Sequence, residues 1–587
     1  MKRTTWRKHH KWVGICLSFF LLMFCLSGIV LNHRAWLSGV DVSRGRLPAA
    51  YRFRNWNKGL LRGTLRWTEA KPSARQTMAT GDSSVHVLVY GAGGIWLTDP
   101  SGRAFADFNR GLPTGADRRS VRAMVRTAGG EVFAITPFGL FRLDRGQGQE
   151  TPSTSLLNPE SHGIPVNPQV PDPAAQGLPA SPQASDSIPH TSSPAPLANL
   201  KAARWISVPV PTLPGERLTD LAARGDSIVA MGRSRLYVAC APYDRFRTVE
   251  LLKPADHDGR VTLFRLFWLL HSGELFGLPG QLVVDALALV LIVLIVTGWM
   301  YWLLPHRIHL LRRRGRDVRA AGRLMKRSLQ WHNSLGRWTI VLTLLLCFTG
   351  WCLRPPLLIP LALTSVPPPP GTTLHSANPW RDKLRMLAYD ESAGDWLLST
   401  SAGFYALRTW DDVPQTVTAG APSVSVMGLN VLRMDPQGRW LCGSFSGLYV
   451  WDRQAGQSWA YGAEPVEQSS SASSDPTIAP SNPSHGASPS SGQQSTAGYS
   501  SDFLVGPVVV DYSSGTDLIT QPQRLSTLPI SLWNLALEVH TGRIYLGSLA
   551  TLFFVFIAGA AALWCLWSGW KLRRRKSKPP VRPGAKT

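Results

Sequence analysis

The sequence predicts an integral membrane protein: four transmembrane α-helices from an internal 2+2 duplication, with an all-β extracytoplasmic domain built from both large loops. Three observations predict it. Four apolar stretches are long enough to cross a bilayer. The first and third of them share one histidine and glycine spacing, and the second and fourth share another. The long segments between them hold short strand-like runs separated by glycine-marked turns.

The first span, Trp12–Leu31, carries no charge, and Ala286–Leu304 follows the lone Asp285 and is equally clean. Trp338–Leu353 is short and closed by Arg354-Pro355-Pro356; Leu546–Trp570 is the longest. A cleaved signal peptide is the competing reading of the first span. No small-residue cleavage site follows Leu31, and the pattern recurs at 331–353, where no signal peptide could lie.

Charge sets the orientation. The 587-residue chain has a net charge of +25. Five Lys/Arg fall in 1–11, nine in 305–330 and eight in 571–587, with Asp317 the one acid among them, so 22 − 1 = +21 lies beside apolar spans. A nucleic-acid-binding protein would place that charge on a domain face, so nucleic acid is not an expected partner. The positive-inside rule makes all three clusters cytoplasmic, and both termini with them; the clusters meet anionic lipid headgroups.

The resulting divisions are 1–33 (basic start and first span), 34–270 (first outside loop), 271–304 (second span with its His-x-Gly lead), 305–330 (basic cytoplasmic loop), 331–354 (third span), 355–539 (second outside loop), 540–570 (fourth span with its His-x-Gly lead) and 571–587 (basic tail).

The repeat is explicit. His10 is followed by Gly14 and the run ends at Leu26-Ser27-Gly28; His332 is followed by Gly336 and the run ends at Phe348-Thr349-Gly350. His-to-Gly is four and Gly-to-Gly fourteen in both copies. His271-Ser272-Gly273 precedes the second span and His540-Thr541-Gly542 the fourth, and these spans end in Gly298-Trp299 and Gly569-Trp570.

In the outside loops, glycine pairs nine residues apart bracket hairpins: Gly130 with Gly139, Gly394 with Gly403, Gly438 with Gly447. Looser copies lie at Val85–Leu97 and Gly225–Val238. Gly93 to Gly139 is 46 residues and Gly403 to Gly447 is 44, the length of one four-stranded propeller blade. These elements resemble the propeller repeats of bacterial two-component sensors, with a β-sandwich as the competing fold. Residues 147–200 and 464–500 are rich in Pro, Ser, Ala and Gln and read as disordered insertions. Cys240 and Cys442, one per outside loop, leave a bridge and two free thiols equally open.

Histidines at span boundaries carry the chemistry. If the halves pack about an axis along the membrane normal, His10 faces His332 near one membrane face, and His271 faces His540 near the other. Two opposed imidazoles form an axial site for haem iron. His10 and His33 are ~35 Å apart along a helix, so one haem at each face gives an electron path across the bilayer. His33 has no counterpart, since its equivalent falls at Pro355; it is a substitute ligand for the outer pair or a bystander.

Residues 7–33 and 271–304, with their repeats, resemble the PepSY-associated transmembrane family: a basic start, a His-led first helix ending in Ser/Thr-Gly, and a His-x-Gly before a later helix. Some members are similar to inner-membrane siderophore reductases of bacteria, four-helix b-haem proteins that move electrons outward to ferric iron. The resemblance implies haem b on His10, His332, His271 and His540, an inner-membrane location, a quinol or protein electron donor, and a metal complex or redox partner at the outside domain. The outside loops depart from the small PepSY domain. No phosphate loop, zinc-type spacing or nucleophile elbow is present. The alternative is a non-enzymatic membrane-anchored propeller, a sensor or scaffold whose histidines only fix helix ends.

Overall fold

The computed structural model describes residues 3–68, 85–145, 203–423, 425, 428–463, 495–546 and 548–572. The expected disorder at 147–200 lies outside them, as does most of 464–500 and of the basic tail. At the end of the second tract the expectation fails: Thr496–Ser500 is a buried strand, held by Ala497 and Tyr499.

Four helices are long and apolar enough to span a membrane: α1 (Arg3–Asn32), α3 (Gly277–Arg313), α4 (Arg319–Cys352) and α6 (Ser548–Lys571). The basic segment 305–330 is mostly helical, because its Arg, Lys, Leu and Ala residues favour helix; left-handed Gly315, at φ 65°, marks the turn at 314–318. Pro305 lies inside α3, which continues through it. In the bundle α1 packs on α3 and α6, and α4 packs on the same two. Trp338, Val341, Phe553 and Ile557 point outward, an apolar exterior that contacts lipid.

Two shorter helices were hidden in the expected loops. Helix α2 (Leu263–Ser272) is capped by the Thr262 hydroxyl, which accepts from the Arg265 N–H, and α5 (Leu532–His540) by the Ser531 hydroxyl, which accepts from the Asn534 N–H. After each, the glycine of His-Ser/Thr-Gly takes a left-handed conformation, Gly273 at φ 82° and Gly542 at φ 76°, and turns the chain into the next span. That is the local reason for the motif. Each short helix is anchored by a two-residue antiparallel bridge from the other half of the chain. Val261-Thr262 pairs with Ser365-Val366 beyond α4, and Ile530-Ser531 pairs with Asp41-Val42 beyond α1.

Among the described residues, the two long segments between the spans form five four-stranded antiparallel meanders and, besides the two bridges above, one two-stranded sheet. Sheet 1 holds β1 (Gly63–Thr68), β2 (Val85–Gly91), β3 (Gly94–Thr98) and β4 (Phe105–Asp107). Sheet 2 holds β5 (Ala123–Arg126), β6 (Val132–Thr136), β7 (Gly139–Asp144) and β8 (Arg204–Val208). Sheet 3 holds β9 (Leu218–Arg224), β10 (Ser227–Gly232), β11 (Leu236–Cys240) and β12 (Arg247–Val249). Sheet 4 holds β13 (Leu384–Asp390), β14 (Asp395–Thr400), β15 (Gly403–Leu407) and β16 (Gln415–Val417). Sheet 5 holds β17 (Leu429–Met434), β18 (Trp440–Ser444), β19 (Gly447–Asp452) and β20 (Gln457–Ala460); sheet 6 is β21 (Thr496–Ser500) with β22 (Val508–Asp511). All five expected hairpins are present as the two middle strands of sheets 1 to 5.

The core lies between sheet faces. Buried clusters join sheets 1 and 2, 2 and 3, 3 and 4, 4 and 5, and 5 and 6, and one joins sheet 6 back to sheet 1. Trp67 with Trp205 fills the first gap, and Trp380 with Trp396 the third. All seven cysteines are free; Cys442 is buried in sheet 5, and Cys240 is exposed on sheet 3 beside the Ser227 hydroxyl.

Candidate functional site

The helices bring the four histidines into two pairs. His10 on α1 and His332 on α4 face one another at the basic end, their ring centroids 6.0 Å apart and their planes at 75°. His271, at the end of α2, and His540, at the end of α5, lie 6.0 Å apart at the domain end, at 48°.

Each ring is held by an equivalent cradle on a neighbouring helix. His10 Nδ1 meets the Cys565 carbonyl at 3.0 Å and the Ser568 hydroxyl at 3.2 Å on α6. His332 Nδ1 meets the Leu294 carbonyl at 3.1 Å and the Thr297 hydroxyl at 3.0 Å on α3. His271 Nδ1 meets the Leu346 carbonyl at 3.1 Å and the Thr349 hydroxyl at 3.3 Å on α4. His540 Nδ1 meets the Phe24 carbonyl at 3.0 Å and the Ser27 hydroxyl at 3.1 Å on α1. In every case the carbonyl is at i and the hydroxyl at i+3.

Glycine at i+4 completes each cradle. A helical Cβ leans back toward the preceding turn, so at i+4 it would overhang the carbonyl that the ring uses. A Cβ built on Gly569 would lie 3.0 Å from His10 Cε1, on Gly350 2.6 Å from His271 Cε1, on Gly28 3.3 Å from His540 Cε1, and on Gly298 3.7 Å from His332 Cε1. Exchanging the two halves of the chain maps this set of contacts onto itself.

The cradle also fixes the tautomer. A carbonyl oxygen only accepts, and each hydroxyl already donates to its own helix: Ser27 to Met23 O, Thr297 to Val293 O, Thr349 to Leu345 O and Ser568 to Cys565 O. Nδ1 must therefore carry the hydrogen and donate it. Nε2 is left as the unprotonated nitrogen of all four rings, with no hydrogen-bond partner among the described residues. Such a ring is ready to bind a metal, oriented and made more basic by its Nδ1 partners.

His33 is not brought to either pair. Its Nε2 meets Asp285 Oδ2 at 2.9 Å, Asn32 Nδ2 donates to Asp285 Oδ1 at 2.9 Å, and its ring stacks on Trp36. Asp285 is thus satisfied by histidine and asparagine.

The paired imidazoles fit haem and do not fit a bare ion. Among the described residues no group of three or more His, Cys, Asp or Glu could hold a metal ion, and two imidazoles leave such an ion short of ligands. Two imidazoles bound to one ion through bonds of about 2.0–2.1 Å would have ring centres up to roughly 6 Å apart, and both pairs have centroids 6.0 Å apart. The remaining ligands would come from a macrocycle. The histidine spacing in the sequence picks out the four rings but not what holds them. The signal was available: Ser27-Gly28, Thr297-Gly298, Thr349-Gly350 and Ser568-Gly569 place one Ser/Thr-Gly pair in each span.

The sequence pattern described as the PepSY-associated TM region matches residues 1–304. No curated protein and no solved structure matches the chain.

Proposed function

This chain belongs to the PepSY-associated TM region family, and from that premise we propose that it is a b-haem protein of the bacterial cytoplasmic membrane that passes electrons outward. In this reading both termini are cytoplasmic, the bundle is a 2+2 duplication, and the β-rich domain is a six-bladed propeller on the outer side. The acceptor is a ferric complex or redox partner at that domain, and the donor is a quinol or a separate protein. The observation that carries the proposal is the fourfold cradle, with two facing imidazole pairs that each present an unprotonated Nε2.

His10 with His332 would hold an inner haem, and His271 with His540 an outer one. Haem b, when bound, supplies a one-electron carrier at each place. The chain orients the ligands through the Nδ1–H bonds to Cys565, Leu294, Leu346 and Phe24. It spaces the two sites too: His10 to Gly28 and His332 to Gly350 are both eighteen residues along one helix, or ~27 Å. Between them Leu17, Ala558 and Ala562, and Cys25, Ala288 and Leu291, form apolar clusters that exclude water.

What supports the propeller is the return of sheet 6 onto sheet 1 through Val87, Val89, Val508 and Val510. What supports the duplication is the half-exchange of the cradles and of the two strand bridges. What supports the orientation is the placement of the Lys/Arg clusters at one end of the spans.

A visible spectrum of the purified chain, expressed with haem available, tests the reading. The reduced protein should show the sharp α-band of a b-type cytochrome, and His332→Ala should diminish it. A colourless protein would sink the reading and leave a membrane-anchored sensor or scaffold.

A further inference from the structure

The β-rich domain holds a concentration of cations at its membrane-facing end. Arg62 immediately precedes β1, Arg122 precedes β5, and Arg217 precedes β9. The first strand of sheet 2 contacts the first strands of sheets 1 and 3, so these three residues gather where the strands begin. That end faces the bundle. Arg34, two residues past α1, grips Asp117 with Nη2–Oδ2 2.8 Å just before Arg122 in sequence. Arg265, in the first turn of α2, binds Asp382 at 2.5 Å, and Arg233 binds the same carboxylate.

Arg34, Arg233 and Arg265 are thus neutralised. Arg62, Arg122 and Arg217 are partly buried and make no ion pair or hydrogen bond through their guanidinium groups among the described residues; Asp220, Asp117 and Asp382 act on them only from beyond contact distance and offset their charge in part. Arg122 feels Arg62 above all, then burial and Arg34, and its pKa falls to about 9. Burial and Arg34 bring Arg217 down to about 10. Like charges gathered out of bulk water repel, and each keeps five donors unspent. Arginine serves structures through packing or ion pairing. Here the ion pairs go to its neighbours, which leaves these three forks for something else.

We propose that Arg62, Arg122 and Arg217 form a binding site for a soluble, multiply charged anion of the carboxylate-chelate class. Guanidinium forks match carboxylates bidentately, and several such groups on one ligand would offset all three charges. The site extends toward the outer histidines through Asp382, which acts on Arg217 and binds Arg265, a residue that shares α2 with His271 at ~9 Å along the axis. Identifying the ligand with the terminal electron acceptor, a negatively charged ferric chelate, rests on the proposed function. The binding itself does not.

Calorimetric titration of the full chain in neutral detergent, with citrate and with ferric citrate as probes, tests this. The wild type should bind saturably and more weakly as salt rises, and Arg122→Gln with Arg217→Gln should weaken binding by about tenfold or more at an unchanged melting temperature. No saturable binding, binding indifferent to salt, or binding equal in a folded double variant would overturn the proposal. If the double variant does not fold, the salt series on the wild type decides alone. Nanodiscs separate the sources of charge: citrate should still bind in anionic lipid, and its exclusion there but not in zwitterionic lipid would assign the site to headgroups and overturn it. A colourless protein that binds citrate fails only the haem reading, and a red one that does not fails only this one.

Discussion

Gly350 and His271 are in tighter contact than any other cradle glycine and its histidine: a Cβ on Gly350 would lie 2.6 Å from His271 Cε1. A contact that short forces something to shift, and both partners are pinned, Gly350 by the helix and His271 by its bonds to Leu346 and Thr349. Gly350→Ala should therefore displace the outer pair and spare the inner one. Under the haem reading the variant keeps about half of the wild-type haem per chain, since only one of two bis-histidine sites is lost. Gly298→Ala is the control, because its Cβ would clear His332 by 3.7 Å. Equal loss in both variants would mean that the glycines serve helix packing instead.

The hydroxyls make a second, graded test. Thr297→Val keeps the volume but removes one of the two acceptors on His332 Nδ1, leaving the Leu294 carbonyl. Loss of an outer partner to a metal-binding histidine costs about 10–100-fold in affinity. With one acceptor retained, the low end of that range is expected at the inner site. Transfer of haem to an apo-protein scavenger reads it directly. Thr297→Ser should behave as wild type, and a Val variant indistinguishable from Ser would count against the cradle.

How much of this was legible beforehand differs by element. The hairpins were, because Gly130/Gly139, Gly394/Gly403 and Gly438/Gly447 mark turns that leave little choice of partner. The histidine pairs were legible too, through the spacing shared by His10 and His332. The strands β9 and β13, which open sheets 3 and 4, have no glycine signature of that kind, and their place follows from packing between sheets. Helices α2 and α5 were hidden for another reason: nine or ten residues give under three turns, too few for periodicity to stand out. The cradle was missed because Ser27-Gly28 reads as a small-residue packing pair until a ring from α5 is laid over it.

His33 supplies a discriminating negative. Its Nε2 is taken by Asp285 and its ring by Trp36, so His33→Ala should leave the reduced α-band at full height, whereas His540→Ala should remove about half of it, one of two bis-histidine sites. A matching loss in His33→Ala would make that residue a ligand and displace His540 from the role.

Asp220 ties the β-rich domain to pH. Its carboxylate is 4 % exposed and accepts the Leu387 N–H at 2.8 Å, joining sheet 3 to sheet 4. Burial pushes its pKa up to about 7, against the partial pull of the Leu387 and Leu221 N–H groups, Arg62 and Arg433. A carboxyl whose pKa is raised by folding binds its proton more tightly when folded. Its contribution is therefore full below the unfolded value of about 4 and is lost as pH rises through about 7. The slope is roughly 1.4 kcal/mol per pH unit across that window. Asp220→Asn keeps an oxygen to accept from Leu387 and cannot ionise. It should melt close to wild type at pH 5 and above it at pH 8, followed by tryptophan fluorescence. Parallel wild-type and variant melting curves across the range would show that Asp220 does not titrate in this window.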